Sequence, residues 1–283
     1  MFFKKALAFL MMIGLLFTGS FYLPLKTSAH EKNIQGKKGK YYYEDLSRYF
    51  TGYDGTFLLY DIKKKKYTIY NKKKSNKQVS PNSTFKIPHA LFGLDKKVLQ
   101  DEITLFKWDG TIYPFEAWNQ DQTLTSAVQN SVIWYFQDVA QQLGPKNEQV
   151  YLNSISYGNK DISGGLTNFW LQSSLKISPL EQLNFLKRFY TYQLPFSKRT
   201  IDLVKKILVI DHKNGALLSG KTGTGWANGE INGTPINGWF IGYVEKKGET
   251  YIFTTNIEAD HNASSSKAKD ITLRILKDKG IYD

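Results

Sequence analysis

The 283-residue chain contains no cysteine. That absence removes disulfide scaffolds, thiolate metal sites and cysteine nucleophiles together. Histidine is almost as scarce: His30, His89, His212 and His261 lie far apart, and none forms an H-x-H or H-E-x-x-H cluster. A metallohydrolase reading is correspondingly weak, and no metal site is expected. No internal repeat or low-complexity tract is present, so repeat and fibrous architectures are set aside.

What the chain does have is apolar and aromatic side chains, 41% and 15% of residues, which places it among globular proteins rather than disordered ones. Its length supports one large domain or two lobes around a substantial core. The N-terminus carries Lys4 and Lys5, an apolar stretch over residues 6–25 and the small-residue exit Thr27-Ser28-Ala29. This is the pattern of an export signal over residues 1–29, cleaved after Ala29, and it predicts a secreted or extracytoplasmic protein. The alternative is a retained anchor, since the stretch approaches the length of a bilayer span; Gly14, Gly19, Ser20 and Pro24 favour cleavage.

Cleavage removes Lys4, Lys5 and Lys26 and no acid, taking the formal charge from +13 to +10. Much of the charge sits in "DIKKKKYTIYNKKKSNK", residues 61–77. Basic runs can serve nucleic acid. Here the lysines interrupt two β-type runs, "TFLLYDI" and "KYTIY", so they are read as capping a hairpin and blunting its edge. No nucleic-acid partner is expected; loose association with an anionic cell envelope, on a Gram-positive exterior, is.

Along the chain, "HEKNIQGKKGK" reads as a mobile polar stretch and "YYYEDLSRYF" has apolar residues at helical spacing. From about 83 to 195 the pattern is mostly helical, with loops at "KWDGTIYPFEAWNQDQT" and "SYGNKDISGGL". "SPLEQLNFLKRFYTY" predicts a helix capped by Ser178 with Pro179 in its first turn. Strand character returns in "ALLSGKTGTGW" and in "GWFIGYVEKKGETYIFTTNIE", where "KGE" marks a hairpin turn. A last helix ends on Gly280. Strands from both ends of the chain around a helical block predict an α+β fold: an antiparallel β-sheet flanked by helices, with an inserted helical lobe. The domain is taken as residues 30–283, its helical lobe about 83–195 and its sheet lobe about 40–82 and 196–283. A cleft between the lobes is the expected site.

Three signals belong in such a cleft. The spacing S-x-x-K occurs four times, at Ser83/Lys86, Ser173/Lys176, Ser264/Lys267 and Ser266/Lys269. The last two lie in a polar loop entering the final helix, where caps and solvated lysines account for them, and Lys176 precedes a helix break and is read as solvated. Only Lys86 has apolar neighbours throughout: Phe85, Ile87, Ala90, Leu91 and Phe92. Burying an ammonium there is costly, and desolvation lowers a lysine's pKa. A neutral lysine beside a serine hydroxyl is a candidate general base, and a helix N-terminus offers free N–H groups to a developing oxyanion. The second signal is "LSGKTGTGW", residues 218–226, where Lys221 and a nearby hydroxyl suit a carboxylate and Gly223 lets a ligand approach the backbone. The third is Ser131 in "NSVIWYF". Alone, each of the last two reads as an ordinary strand or a helix cap.

In combination they resemble a known family. S-x-x-K, then S-x-V or S-x-N, then K-T-G, in this order, is the signature of penicillin-recognising serine acyltransferases and β-lactamases. "STFKIP", "WNQDQTLTSAVQNSV", "YGN" at 157–159, "ISGGL…FWL" at 162–171 and "KTGTGW" are similar to the class D, oxacillinase-type β-lactamases, from about residue 40 to the end. The resemblance implies hydrolysis of β-lactam substrates, and antibiotic resistance, with Ser83 as the nucleophile forming an acyl-enzyme. It implies that Lys86 is N-carboxylated by carbon dioxide and that its carbamate is the base, with no organic cofactor or metal. Ser131 is then the proton relay to the leaving nitrogen. Lys221, Thr222 and Gly223 belong to the carboxylate-binding strand, and the N–H groups of Ser83 and Thr224 form the oxyanion hole. Trp170 donates to the carbamate, Ile133, Phe136 and Leu171 seal its pocket, and Tyr157 and Asn159 shape the cleft wall.

Two positions depart from the pattern. Ile133 stands where valine is usual, which predicts a tighter apolar pocket. Ala268, flanked by Lys267 and Lys269, stands where the last helix usually brings an arginine to the substrate carboxylate, and a lysine lacks the bidentate fork. "EQLN" at 181–184 is read as helix surface. The competing function is a penicillin-sensor domain, which acylates without turnover; such sensors tend to carry a polar residue at the position of Ile133 and a multi-spanning membrane region. A small penicillin-binding protein acting on cell-wall peptides fits "FWL" and "YGN" less well.

Overall fold

A computed structural model describes residues 32–36 and 39–283, with side-chain surroundings from residue 41 onward. The signal-like stretch 1–29 lies outside the described residues. Eight strands form one sheet in the order β1-β2-β4-β3-β10-β9-β8-β7. They are β1 (Lys32–Gly36), β2 (Gly39–Tyr43), β3 (Asp54–Asp61), β4 (Lys66–Tyr70), β7 (Val209–Lys213), β8 (Ala216–Trp226), β9 (Pro235–Lys246) and β10 (Glu249–Glu258). A small separate pair, β5 (Leu105–Phe106) and β6 (Gln122–Thr123), brackets the loop between them. The helices are α1 (Lys72–Ser75), α2 (Lys86–Asp95), α3 (Leu124–Gln129), α4 (Ile133–Ser154), α5 (Pro179–Tyr190), α6 (Lys198–Ile207) and α7 (Ser265–Asp278).

Side chains alternate along the strands, and the alternation builds two cores. Phe57, Leu59, Phe240, Val244 and Phe253 face α7 and its Ala268, Ile271 and Ile275. Leu58, Tyr60, Trp239, Ile241 and Tyr243 face the opposite way, into the larger core shared with the helical lobe. Burying a large apolar side chain contributes about 1.5–3 kcal/mol, so both faces need their helices. The expected hairpins are present: β3–β4 carries its lysines at the turn, and β9–β10 turns at Lys247 and Gly248, both at positive φ (50° and 76°). Ser178 and Glu181 form a capping box on α5, with Pro179 in its first turn. Glu181 is therefore a cap.

Four expectations need correction. The sheet is mixed rather than wholly antiparallel: β2 runs parallel to β4, with Tyr41 opposite Tyr67 and their rings stacked at 4.8 Å. Tyr41–Tyr43 are strand, not helix, and only Ser47–Tyr49 makes a 3₁₀ turn; the alternate rings of Tyr41 and Tyr43 pack against the larger core. Residues 32–36 of the polar stretch pair with β2 instead of remaining loose, Ile34 opposite Tyr41. The helical lobe runs past residue 195, because Ile201, Val204 and Ile207 of α6 are buried in the core it shares with α2 and α3. No helix among the described residues is long and apolar enough to cross a membrane.

Candidate active site

Ser83 lies in a 3₁₀ turn, Asn82–Phe85, that runs directly into α2 at Lys86. The three-residue spacing turns the two side chains to one side, and Lys86 Nζ donates to Ser83 Oγ at 3.1 Å. Lys86 is fully buried. Burial, and secondarily the charge of Lys221, lowers its pKa well below the usual lysine range. Its nitrogen lies 5.4 Å from the centre of the Phe136 ring.

The other S-x-x-K copies separate cleanly. Ser264 caps α7 and Lys267 is exposed. Lys176, read as solvated, is instead half-buried and donates to Ser80 Oγ at 2.8 Å, because the bridge between Val79 and Ile177 draws its loop against the segment preceding Ser83. None of these three lysines faces its own serine.

Ser131 sits between α3 and α4 with φ +61°, one residue before the N-cap Val132. It is thus no N-cap but the left-handed residue that closes the C-terminus of α3, its N–H donating to Val128 O at 3.3 Å and that of Val132 to Ala127 O at 2.9 Å. A left-handed backbone at a non-glycine residue costs free energy and persists where packing over-determines it; here Trp118 Nε1 donates to Asn130 O at 2.9 Å and Trp134 Nε1 to Trp118 O at 2.9 Å. Lys221 on β8 reaches Ser131 Oγ at 2.9 Å. Lys221 is also buried, which brings its pKa down to about 7.

Strand β8 can lie beside the nucleophile because of Gly223. A Cβ there would stand 3.1 Å from Pro81 O and 3.2 Å from Ser83 N. A cavity of about 550 Å³ opens on this junction, lined by Ser83, Ser131, Thr222, Gly223 and Thr224 with Ser264–Ser266 at the start of α7. Trp226 lines both this cavity and a second of about 480 Å³, whose apolar wall includes Ile133 and Leu171. Phe136 and Trp170 are fully buried inside that wall. The Trp170 indole Nε1 has no hydrogen-bond partner among the described residues.

Two predicted wall residues lie elsewhere. Tyr157 is fully buried behind the nucleophile's turn, its ring meeting Phe85 edge-on at 5.3 Å. Asn159 is exposed and closes a loop, donating to Ser174 O and accepting from Asp161 and Lys176 backbone N–H groups. Neither lines the cleft. Around the missing arginine, Ala268 is buried in the core under α7, while Lys269 lines a pocket of about 260 Å³ with Lys221 and Thr222. Sequence reasoning missed Asn82 and Gln172. Asn82 Nδ2 donates to Gln172 Oε1 at 3.0 Å and Gln172 N to Asn82 Oδ1 at 3.2 Å, tying the nucleophile's turn to the segment after Trp170. Only their positive φ values, 49° and 47°, mark them, and no sequence pattern carries that.

Residues 55–277 match the family described as penicillin binding protein transpeptidase domain. The chain is 39% identical to the probable β-lactamase YbxI of Bacillus subtilis over 98% of both chains. It is 41% identical to the regulatory protein BlaR1 of Bacillus licheniformis over 99% of this chain, and spans about half of that relative, 46%. A solved class D β-lactamase from Bacillus subtilis superposes with a TM-score of 0.79 at 41% identity, covering 84% of this chain and 97% of the other.

Proposed function

Because this chain belongs to the penicillin binding protein transpeptidase domain family and is class D serine β-lactamase-like, we propose that it hydrolyses β-lactams through an acyl-enzyme on Ser83 and so confers resistance. The observation that carries this reading is the dry Lys86 nitrogen, 3.1 Å from Ser83 Oγ and without a carboxylate partner in its hydrogen bonds or ion pairs among the described residues. A neutral amine in an apolar pocket is the form that combines with carbon dioxide.

The surroundings fit a carbamate at Lys86. Trp170 Nε1 is a buried donor without an acceptor, and an unmade buried hydrogen bond costs about 1–3 kcal/mol. Ile133, Phe136 and Leu171 keep water from the same space. When carboxylated, Lys86 supplies an anionic base beside Ser83 Oγ. Ser83 would give its proton to that base as Oγ bonds to the lactam carbonyl carbon and the ring C–N bond breaks; water, deprotonated by the same base, would then cleave the ester and return the proton to Ser83 Oγ. The Ser131 hydroxyl gives its proton to the leaving nitrogen and is recharged by Lys221 across their 2.9 Å contact. The Ser83 and Thr224 N–H groups hold the carbonyl oxygen. Lys221, Thr222 and, in place of the arginine, Lys269 attract the substrate carboxylate.

A second reading follows from the similarity to BlaR1: a sensor-like domain that acylates and stops. The apolar Ile133 beside the pocket supports the enzyme. We also propose export through residues 1–29 and loose retention by an anionic envelope through the lysines of 61–77. The deciding experiment is turnover of a chromogenic cephalosporin by the purified chain. Bicarbonate-stimulated turnover, lost in Ser83→Ala, with slow acylation and almost no deacylation in Lys86→Ala, is expected. A stoichiometric burst without turnover, indifferent to bicarbonate, overturns the enzyme reading in favour of the sensor.

A further inference from the structure

Behind the Lys86 pocket lie two titratable side chains that the reaction does not use. His89 on α2 and Glu148 on the second half of α4 are both fully buried, with His89 Nε2 3.0 Å from Glu148 Oε1. The contact lacks hydrogen-bond geometry, and none of the polar atoms of either side chain has a hydrogen-bond partner among the described residues. Taking such a pair out of water is costly, and apolar residues of similar volume are often as stable or more so. Packing alone therefore gives no reason for a histidine and a glutamate here.

Their surroundings supply one. Lys86 and His89 stand three apart on α2, on one face of the helix. The imidazole meets the Trp170 indole edge to face at 4.6 Å and lies parallel to the Phe136 ring at 6.1 Å. Phe136 is the ring that lies 5.4 Å from Lys86 Nζ, and Trp170 carries the unpartnered indole N–H. The pair thus stands one aromatic layer behind the Lys86 nitrogen, and the 3.0 Å contact between α2 and α4 holds the imidazole against both rings.

We propose that His89 and Glu148, in buried contact, are a positioning pair that sets the Trp170 and Phe136 rings around Lys86 and thereby governs how readily Lys86 is carboxylated. The inference rests on the proposed function above. Carboxylation forms one bond from the neutral Nζ lone pair to the carbon of CO₂ and releases one N–H proton to buffer. No residue of the pair exchanges covalent bonds in it. Misplacing the indole or loosening the aromatic wall admits water and lowers the equilibrium constant for that bond.

The test is carbon-13 NMR of the full chain titrated with labelled bicarbonate at fixed pH, alongside thermal unfolding. The double variant His89→Phe/Glu148→Leu replaces both partners with apolar groups and is expected to keep its Tm. Its half-saturating bicarbonate concentration should rise about tenfold or more, the usual scale for loss of an outer positioning partner. Glu148→Gln keeps the shape and the polar contact with His89 and should stay within about threefold of wild type, a rescue that separates the polar contact from bulk packing. If the double variant does not fold, His89→Asn replaces it under the same tenfold criterion. A carbamate signal in the wild type with unchanged bicarbonate affinity in these variants overturns this inference and leaves the proposed function standing. A wild type without any carbamate signal overturns the carbamate reading and this inference with it.

Discussion

Lys221 on the central sheet donates a 2.9 Å hydrogen bond to Ser131 Oγ in the helical lobe, 90 residues earlier in the chain. Burial brings this lysine's pKa down to about 7, so its charge is lost as pH rises through that value in the free protein. If the ammonium attracts the substrate carboxylate, kcat/KM falls on the alkaline side, with a midpoint above that value because an anionic carbamate on the neighbouring Lys86 favours the charged form. Lys221→Arg should abolish this limb, because a guanidinium stays charged, while lowering the maximal rate. The pH profile of cephalosporin hydrolysis by the two proteins checks it.

Lys86 gives a stability prediction with a definite sign. The unfolded chain takes up the Lys86 proton below the ordinary lysine pKa, whereas the folded protein takes it up only at much lower pH. Across that window the unfolded state binds more protons, so stability rises with pH. In CO₂-free buffer, Lys86→Met should be more stable than wild type by about 1–4 kcal/mol near neutrality. The gap should close as pH approaches the ordinary lysine value. Urea unfolding at a series of pH values measures it; a gap that widens with pH contradicts the neutral amine.

Trp170→Phe removes the unpartnered indole N–H and keeps an aromatic ring in place. A hydrogen bond to a charged group contributes about 1.5–3 kcal/mol. The bicarbonate concentration giving half-maximal turnover should therefore rise about 10- to 100-fold, with little change in the acylation burst.

Gly223→Ala places a Cβ 3.1–3.2 Å from Pro81 O and Ser83 N, both backbone atoms with little room to yield. A cost of about 1–3 kcal/mol is expected, either as lower stability or as β8 displaced from the nucleophile. Acylation by a fluorescent penicillin should slow at least about tenfold, while Gly215→Ala at the far end of the same hairpin leaves it unchanged. Gly215 has open space around its Cβ position but a φ of +72°, so this substitution costs about 1 kcal/mol of stability without touching the nucleophile's turn.

The two lysines flanking Ala268 should behave differently. Lys269 shares a pocket with Lys221 and Thr222, whereas Lys267 is exposed and away from it. Lys269→Ala is expected to raise KM about threefold to tenfold with kcat little changed, the mark of lost ground-state attraction; Lys267→Ala should match wild type. Equal effects of both substitutions would remove Lys269 from the carboxylate site.

Much of the architecture was legible because it is written in local chemistry. The lysine-tipped β3–β4 hairpin, the β9–β10 turn, the Ser178 cap and the Gly280 stop each depend on a few adjacent residues. The misread parts depend on partners far away. Tyr41–Tyr43 have helix-compatible spacing, yet a parallel neighbour, β4, holds them extended. Tyr157 sits in a motif associated with the cleft, but the space behind Phe85 takes its ring.

By itself the sequence determined which serine and lysine share a turn, since i,i+3 geometry and an apolar flank are properties of the ten consecutive residues 83–92. It also determined, through motif order, that a K-T-G strand and a further serine accompany them. Only the tertiary structure decided that Lys221 meets Ser131, that Lys176 turns to Ser80, that Lys269 shares a pocket with Lys221 and Thr222, and that His89 and Glu148 close on each other behind Trp170. The reason is physical: burial and pairing arise when distant segments exclude water together, and a residue's own neighbours in the chain do not encode which segments those are.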